Sequence, residues 1–397
     1  MKLVEQHIIK CKNPLFKELD KLCFLSKNLY NASLYEIRQH YFNNKKYLNK
    51  YELINKFTKE NNVDYRALPA QVSQQTILMV DRNFSSFFKL LKLKLKGFYD
   101  KQIRIPKYLK KDGRFILTYT NQTISKIELN NGFIKLFKSK IKIKTKVTNV
   151  QQVRIIPKGN IIVVEIIYEV KEKDLLNDNN RYCAIDLGIN NLAAITFNII
   201  KPLIINGKPL KSINQYYNKR KTYLQSKLIN NVKSSKRIKS ISNIRNNKVK
   251  DCMHKASHYI TNHLVSNNIS QLIIGYNKEW KQEVNIGKAN NQNFVGIPFN
   301  KFITMLSYKA KLNGIKVVLT EESYTSKCSF MDNESIEKHD EYVGKRIKRG
   351  LFKSREGRLL NADVNGSLNI MKKVASNAFE KGYEVEVCST PIVYTIK

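Results

Sequence analysis

The stretch YCAIDLGINNLAAITFN, residues Tyr182 to Asn198, decides how this chain is read. An apolar run ends in a single aspartate, Asp186, a glycine turn follows, and a second apolar run begins. Aspartate is among the residues least often buried, so a lone carboxylate at the end of a buried strand asks for a reason. Asp before Gly is routine turn chemistry. The other reading makes Asp186 one corner of a cation site whose remaining ligands lie far along the chain.

Working outward, strands are expected at about 182–186, 191–197 and 202–205, then a long basic helical stretch over about 211–268. A strand, QLIIG, follows at 271–275, and IPFNKFITMLSYKAKLNG reads as a helix ending at Gly314. Strand IKVVLTEE, an irregular basic segment and the helix NADVNGSLNIMKKVA complete the run. Meandering strands followed by α-β-α-β-α is the element order of an α/β fold of the ribonuclease-H-like kind. Such a sheet must gather carboxylates from separated segments at one edge.

Upstream, KLVEQHIIK within residues 1–14 reads as a strand, and residues 15–100 turn helical. In QQTILMVDRNFSSFFKLLK, Ile77, Val80, Phe84, Phe87 and Leu91 recur at three- and four-residue spacing. The Leu/Lys alternation of LLKLKLKG fits either a helix extension or a strand start. From about 103 to 170 RFILTYT, KIEL, GFIKLF, KIKIKTKV and QQVRIIPKGNIIVVEIIYEV read as strands, separated by turns at Asn130-Asn131-Gly132 and Pro157 to Asn160. A β-barrel or sandwich with a helical insertion is the simplest arrangement. KEKDLLNDNN, Lys171 to Asn180, is a polar hinge.

Charge narrows the function. The 397 residues carry 71 Lys+Arg against 32 Asp+Glu, a net +39, and 42% are hydrophobic. A globular body with that excess repels itself unless it meets a polyanion, and nucleic acid is the expected one. No run approaches the ~18 apolar residues of a membrane span. The first residues, MKLVEQHIIKCKN, lack a signal-peptide core, so the cytoplasm is the expected place. Cys11, Cys23, Cys183, Cys252, Cys328 and Cys388 form no C-x-x-C pair, which argues for reduced, mostly buried thiols. No H-x-H pair occurs, which speaks against a strand transferase built on tyrosine and paired histidines.

Metal-assisted hydrolysis of a phosphodiester needs rigidly held oxygen ligands, chiefly carboxylates. Asp186 ends a strand. Asp363, in NADVNGSLNI, falls in the first turn of a helix with apolar face Val364, Leu368, Met371 and Val374 and with Asn361 as its cap. The helix dipole there favours the ionised form. Glu321 and Glu322 close a strand, and since neighbours on a strand point to opposite faces only one of them can reach the site.

These residues resemble the TnpB proteins of bacterial insertion sequences, compact RNA-guided DNA nucleases related to type V CRISPR effectors. The resemblance rests on AIDLGINNLAAIT, IIGYNKEWKQEVNIGKANNQNFVGIPF, EESYTSKCSF, GKRIKRGLF and NADVNGSLNI, with LPAQVSQQTILMVDRNFSSFFK as a weaker N-terminal part. It implies a RuvC nuclease domain preceded by a β-barrel wedge domain with an inserted helical recognition domain. The implied boundaries are wedge 1–14 and 101–175, recognition 15–100, RuvC 176–322 and 361–376, a basic insertion at 323–360 and a tail at 377–397. It further implies that Asp186 and Asp363 are metal ligands for magnesium, with manganese as a substitute. Most relatives carry a glutamate where Gly275 stands here; some supply it from the neighbouring strand, which points to Glu322, with Glu321 and then Glu279 as alternatives. The interval that holds a zinc ribbon in relatives contains only Cys328 and His339, too few for a closed site, so no structural zinc is expected.

Partners implied are a guide RNA from the transposon end and double-stranded target DNA with a short flanking motif, with no membrane and no small-molecule cofactor. Residues 211–250 hold twelve Lys/Arg and no acid, which suits phosphate tracking. Lys219, Arg220, Lys221, Lys236 and Arg237 there, and Lys345, Arg346, Lys348 and Arg349 in the insertion, are the candidate nucleic-acid contacts. Tyr216, Tyr217 and Trp280 either stack on bases or pack internally. Gln71, Gln74, Gln75 and Asn121 have the chemistry of base-edge readers, as do many surface amides. The function implied is an RNA-guided, magnesium-dependent DNA endonuclease; the alternative is a nuclease-deficient RNA-guided DNA-binding regulator.

Overall fold

Two pieces of chain, Met1–Val170 and Lys171–Lys397, each make their own internal contacts. The computed structural model describes residues 1–229, 232–277, 287–379 and 390–396, with the backbone alone for 288–290.

The first unit opens with β1 (Lys2–Lys10) and continues through helices α1 (Leu15–Asn44), α2 (Lys50–Lys59), α3 (Val63–Arg66) and α4 (Ala70–Leu95). β2 (Leu117–Thr120), α5 (Lys126–Asn130), β3 (Phe133–Lys135), β4 (Lys142–Lys144), β5 (Val150–Lys158) and β6 (Ile161–Glu169) complete it. The strands pair in the order β1-β6-β5-β2, all antiparallel, with β3-β4 as a separate hairpin. In β6, IIVVEIIYE, Ile162, Val164 and Ile166 enter the core that includes residues of α1, while Val163, Glu165 and Ile167 on the other face are buried as well. Leu19, Cys23, Ile77 and Val80 of the helices share one core with Val153, Val164 and Ile166 of the strands, so helices and sheet form a single hydrophobic body. α2 starts with a capping box: the Asn49 side chain accepts from the Tyr51 and Glu52 N–H groups, and Glu52 returns a bond to the Asn49 N–H.

One strand expectation changes here, and one open reading is decided. KIEL is helix α5, because Ser125 caps it by accepting from the Glu128 N–H at 3.4 Å. LLKLKLKG continues α4 as far as Leu95, so its alternation follows a helix surface and not a strand.

The second unit contains β7 (Tyr182–Leu187), β8 (Asn191–Phe197), β9 (Leu203–Asn206), α6 (Lys208–Ser226), α7 (Lys236–Ser266) and β10 (Gln271–Gly275). Then come α8 (Lys288–Gly296), α9 (Phe299–Leu312), β11 (Lys316–Thr320), β12 (Lys345–Lys348), β13 (Leu351–Lys353), β14 (Leu359–Asn361), α10 (Ala362–Val374) and β15 (Ile392–Tyr394). The main sheet has the order β11-β10-β7-β8-β9-β15. β10 runs parallel to both β7 and β11, whereas β7, β8 and β9 are antiparallel. Alternation along β7 sets the site: Cys183, Ile185 and Leu187 enter the core shared with α7 and α9, while Tyr182 and Ala184 face α10. Asp186 is in phase with Ala184, so it emerges on the α10 side.

Four boundaries differ from the expectations. The hinge begins at Lys171 as expected, but the implied wedge end at 175 moves back to Val170, and the Leu176 N–H donates to the Gly314 carbonyl at 2.8 Å within the second unit. The basic stretch is two helices, α6 and α7, packed on each other. The insertion at 323–360 is not irregular throughout: β12, β13 and β14 form a three-stranded antiparallel sheet. Asn365 and Asn369, one turn apart on α10, hold its approach by donating to the Cys328 carbonyl, each at 2.8 Å. Finally, part of the tail is a strand, as β15 adds in parallel to β9. Glu279, Trp280 and Cys388 lie outside the described residues. The other five cysteines are free thiols, and among the described residues no helix is long and apolar enough to cross a membrane.

Candidate nuclease centre

Three carboxylates arrive at one edge of the second unit's sheet from separate elements. Asp186 comes from the end of β7. Asp363 comes from the first turn of α10, where Asn361 caps by accepting from the Asp363 and Val364 N–H groups at 3.0 and 3.2 Å. Glu322 follows β11, which ends at Thr320, so neither glutamate is inside the strand.

The two glutamates divide sharply. Glu321 is 58% exposed at its side chain, pairs with Lys373 at 3.0 Å and accepts from the Ser323 N–H at 3.1 Å. Glu322 turns inward. Its Oε1 accepts from the Asn277 side chain at 3.2 Å, and its N–H donates back to the Asn277 Oδ1 at 3.1 Å. Its Oε2 is buried and meets no hydrogen-bond partner.

Gly275 explains how Glu322 fits. β10 separates β11 from β7, and a Cβ on Gly275 would lie 2.8 Å from the Glu322 Oε2 and 2.6 Å from the Ile370 Cδ1. The glycine leaves open the space that the glutamate of the neighbouring strand crosses toward Asp186. The same device recurs on the other side. A Cβ on Gly366 would stand 2.9 Å from the Asp186 Oδ2. At that closest approach Ser367 donates to the Ala184 carbonyl at 3.0 Å and lies 2.9 Å from the Thr196 hydroxyl.

Electrostatics confirm that the acids feel one another. Burial pushes the Asp186 carboxyl well above the usual carboxylate range, and the negative charges of Glu322 and Asp363 push it further. The Arg346 guanidinium and the Leu187 N–H act in the opposite sense. Burial also raises Glu322, to about 7, with Glu321 adding to the effect. Asp363 is held differently: its Oδ1 accepts from Arg346 of β12 at 2.9 Å, and its Oδ2 from Asn191 of β8 at 2.7 Å. Arg349, just past β12, lies 2.7 and 2.8 Å from the amide of Asn190.

Among the described residues no three acidic, histidine or cysteine side chains stand close enough to cage an ion as they are. Asp363 is drawn onto Arg346 and Asn191, and Glu322 rests over Gly275. The donors nevertheless suit a hard divalent cation: all are carboxylate oxygens, one is orphaned, and two of the carboxyls are raised by burial first and by neighbouring negative charge second.

Of the basic candidates, Arg346 and Arg349 reach the carboxylate edge, and Lys345 and Lys348 are exposed on the same short strand. Lys219, Arg220 and Lys221 lie on α6, and Lys236 and Arg237 begin α7, with no contact to the acids shown. Tyr217 packs, its hydroxyl 2.9 Å from that of Ser242, whereas Tyr216 is open to solvent. Gln71 bonds Gln122 and Thr120, and Asn121 lines a cleft of about 420 Å³, while Gln74 is exposed and Gln75 half-buried on α4. Sequence reasoning missed Asn191 and Asn277, which orient two of the acids. Their signal was faint: Asn191 opens β8 in the turn after Asp186, and Asn277 stands two residues past β10.

Residues 165–281 match the family described as OrfB_IS605, a probable transposase. Residues 299–370 match the Cas12f1-like TNB domain. The TnpB-like protein ORF457 of Acidianus two-tailed virus is 27% identical over 206 residues, a match covering 49% of this chain and 42% of that protein. The chain thus spans less than half the length of that curated relative. Among solved structures, the cryo-EM structure of a Cas12f1–sgRNA–target DNA complex aligns over 90% of this chain and 82% of its own, with a TM-score of 0.53 and 16% identity. A CRISPR-Cas12f ternary complex aligns over 90% and 80%, with a TM-score of 0.37 and 14% identity. Of these two, the first shows a shared fold of mixed α/β structure.

Proposed function

We propose, from the premise that this chain belongs to the TnpB family of transposon-associated RNA-guided nucleases, that it is a magnesium-dependent, RNA-guided DNA endonuclease. Asp186, Glu322 and Asp363 are its metal-holding carboxylates. The observation that carries this reading is the inward carboxylate of Glu322, whose Oε2 is buried without a partner above a glycine that makes room for it. A buried, unpaired acid is costly, and a protein keeps one where a cation is to be bound.

Divalent cations in such a site activate water and stabilise the leaving oxygen of the scissile phosphodiester. The chain's own groups do the rest. Asn277 and Asn191 fix the orientation of Glu322 and Asp363. Arg346 supplies positive charge at the carboxylate edge, where a phosphate would otherwise be repelled by three acids. Since bound cations need ionised ligands, the raised affinities of Asp186 and Glu322 for protons mean that loading releases protons. The first unit, with the wedge and recognition roles, meets the short flanking motif in duplex DNA, and a guide RNA from the transposon end reads the remainder by base pairing.

The test is to purify the protein with co-expressed RNA, sequence that RNA, and offer matching duplex DNA with magnesium. Guide-directed cutting that disappears in Asp186→Asn and in Glu322→Gln supports the assignment. Loss in Glu321→Gln with normal cutting by Glu322→Gln moves the ligand by one residue. Tight guide-dependent binding without cutting by the parent protein would make it a DNA-binding regulator instead.

A further inference from the structure

We infer that the outer face of α6 is a stacking platform for the unpaired DNA strand that feeds the carboxylate centre, with Tyr216 and Tyr223 as its two stacking rings. The inference rests on the nuclease reading for the identity of the strand, and on the helix itself for the platform.

Tyr216, Arg220, Tyr223 and Lys227 are spaced four, three and four residues apart, so they form one stripe along the helix. The stripe faces water. Tyr216 is 70% and Tyr223 54% exposed, so both ring faces are open to a partner. Their neighbour Tyr217 shows the alternative, turning toward α7 to meet Ser242. Tyr223 sits in positive charge: the guanidinium of Arg220 and the ammonium of Lys227 each stand 5.8 Å from its centroid. No acid occurs between residues 211 and 250 to neutralise them. Aromatic faces for bases, alternating with cations for phosphates, is the chemistry of single-strand binding. A duplex would hide its base faces from such rings.

Spacing and position favour the strand at the nuclease centre. At 1.5 Å per residue the two rings lie about 10 Å apart along the helix, the length of roughly three stacked nucleotides. The helix also begins beside the carboxylate edge. The Gly207 N–H, just before α6, donates to the Asn190 carbonyl at 2.7 Å; the Asn190 amide meets Arg349, and Asn191 holds Asp363. From Lys208 the helix axis reaches Tyr216 after about 12 Å and Tyr223 after about 22 Å. A strand with its phosphate at Asp363 needs only a few nucleotides to lie along the stripe.

The experiment uses the full chain with its co-purified RNA, carrying Glu322→Gln so that nothing is cut, and a fluorescent oligothymidylate read by anisotropy. Tyr216→Ala and Tyr223→Ala should each weaken binding by about 5- to 150-fold, the range for losing one stacked base. Tyr→Phe at either position should bind as the parent does, because the ring face survives, while Tyr→Leu should fail as alanine does. Arg220→Gln should lower the salt dependence by about 0.7 in logarithmic slope, one phosphate contact on a single strand. Unchanged binding in the double alanine variant overturns the platform. Normal oligothymidylate binding with loss of the co-purified RNA also overturns it, assigning the stripe to the guide. Failure of the Glu322 parent to cut guided duplex would retire the nuclease reading alone, because stripe-dependent binding is measured without cleavage.

Discussion

Glu165 and Glu322 are both carboxylates on or beside a sheet, one in each unit, and they are treated in opposite ways. Glu165 interrupts the apolar run of β6, is 7% exposed, and is fully answered: Arg154 of the neighbouring strand reaches it at 2.6 Å and Gln6 of β1 at 2.7 Å. Its charge is balanced inside its own sheet. Glu322 has an amide on one oxygen and nothing on the other, with a second acid crowding it. Two buried acids of the same type therefore serve different ends. The paired one ties three strands together, and the unpaired one is the residue proposed above to meet a cation.

That contrast can be broken most directly by neutralising both residues. Glu322→Gln should abolish guided cutting, by more than the roughly 100-fold that losing an outer-shell partner costs. It should leave the urea midpoint of the second unit unchanged or higher, since an unpaired buried charge is removed. Glu165→Gln should do the reverse: cutting by the folded protein persists, and the first unit loses about 1–3 kcal/mol, because Arg154 forfeits its charge partner. If Glu322→Gln instead unfolds the second unit, the distinction between the two acids disappears.

A second prediction sharpens the role of the glycine. Gly275→Ala places a methyl group against the Glu322 Oε2 and the Ile370 Cδ1. Cutting should fall by about 10- to 100-fold, as for a displaced ligand support, with about 1–3 kcal/mol of overpacking read by denaturation. The exchange Gly275→Glu with Glu322→Gly should recover cutting that neither single change permits, because the acid then rises from β10 into the same space.

The smallest effect extends the contrast to a cation. Lys309 of α9 donates to the His254 carbonyl at 2.9 Å and to the Ser257 hydroxyl at 2.7 Å, and burial lowers its ammonium from 10.5 to about 8. Below about pH 8 it is charged in both folded and unfolded chains, and the burial cost is fully present. Between about 8 and 10.5 the folded state has released the proton that the unfolded chain still holds, so the second unit should gain stability as pH rises. Lys309→Met should flatten that rise in thermal melts taken across this range.

Much of the site could be read along the chain because it depends on local rules. Asp186 stood out as a carboxylate ending an apolar run, and Asp363 as an acid in a capped first turn, where Asn361 indeed caps. Strand alternation set Glu321 and Glu322 on opposite faces without saying which of them meets the site, and β11 ends at Thr320, before either residue. KIEL misled because its apolar and polar residues alternate over so few positions that one serine cap outweighs the pattern. β15 was invisible in the same way, since a three-residue parallel strand exists only through its pairing with β9.

Composition, much of the second unit's element order and the phase of its strands were thus legible in the amino-acid sequence alone: the basic character, the nuclease-like succession of elements, and the opposed directions of Glu321 and Glu322. These follow from side-chain chemistry and backbone periodicity, both of which are local. Only the tertiary structure decided that Glu322 passes over Gly275, that Gly366 admits Asp186 against α10, and that Arg346 from a distant hairpin balances Asp363. Those three facts depend on ångström-scale approach between segments far apart in the chain, and packing settles such distances while residue order does not.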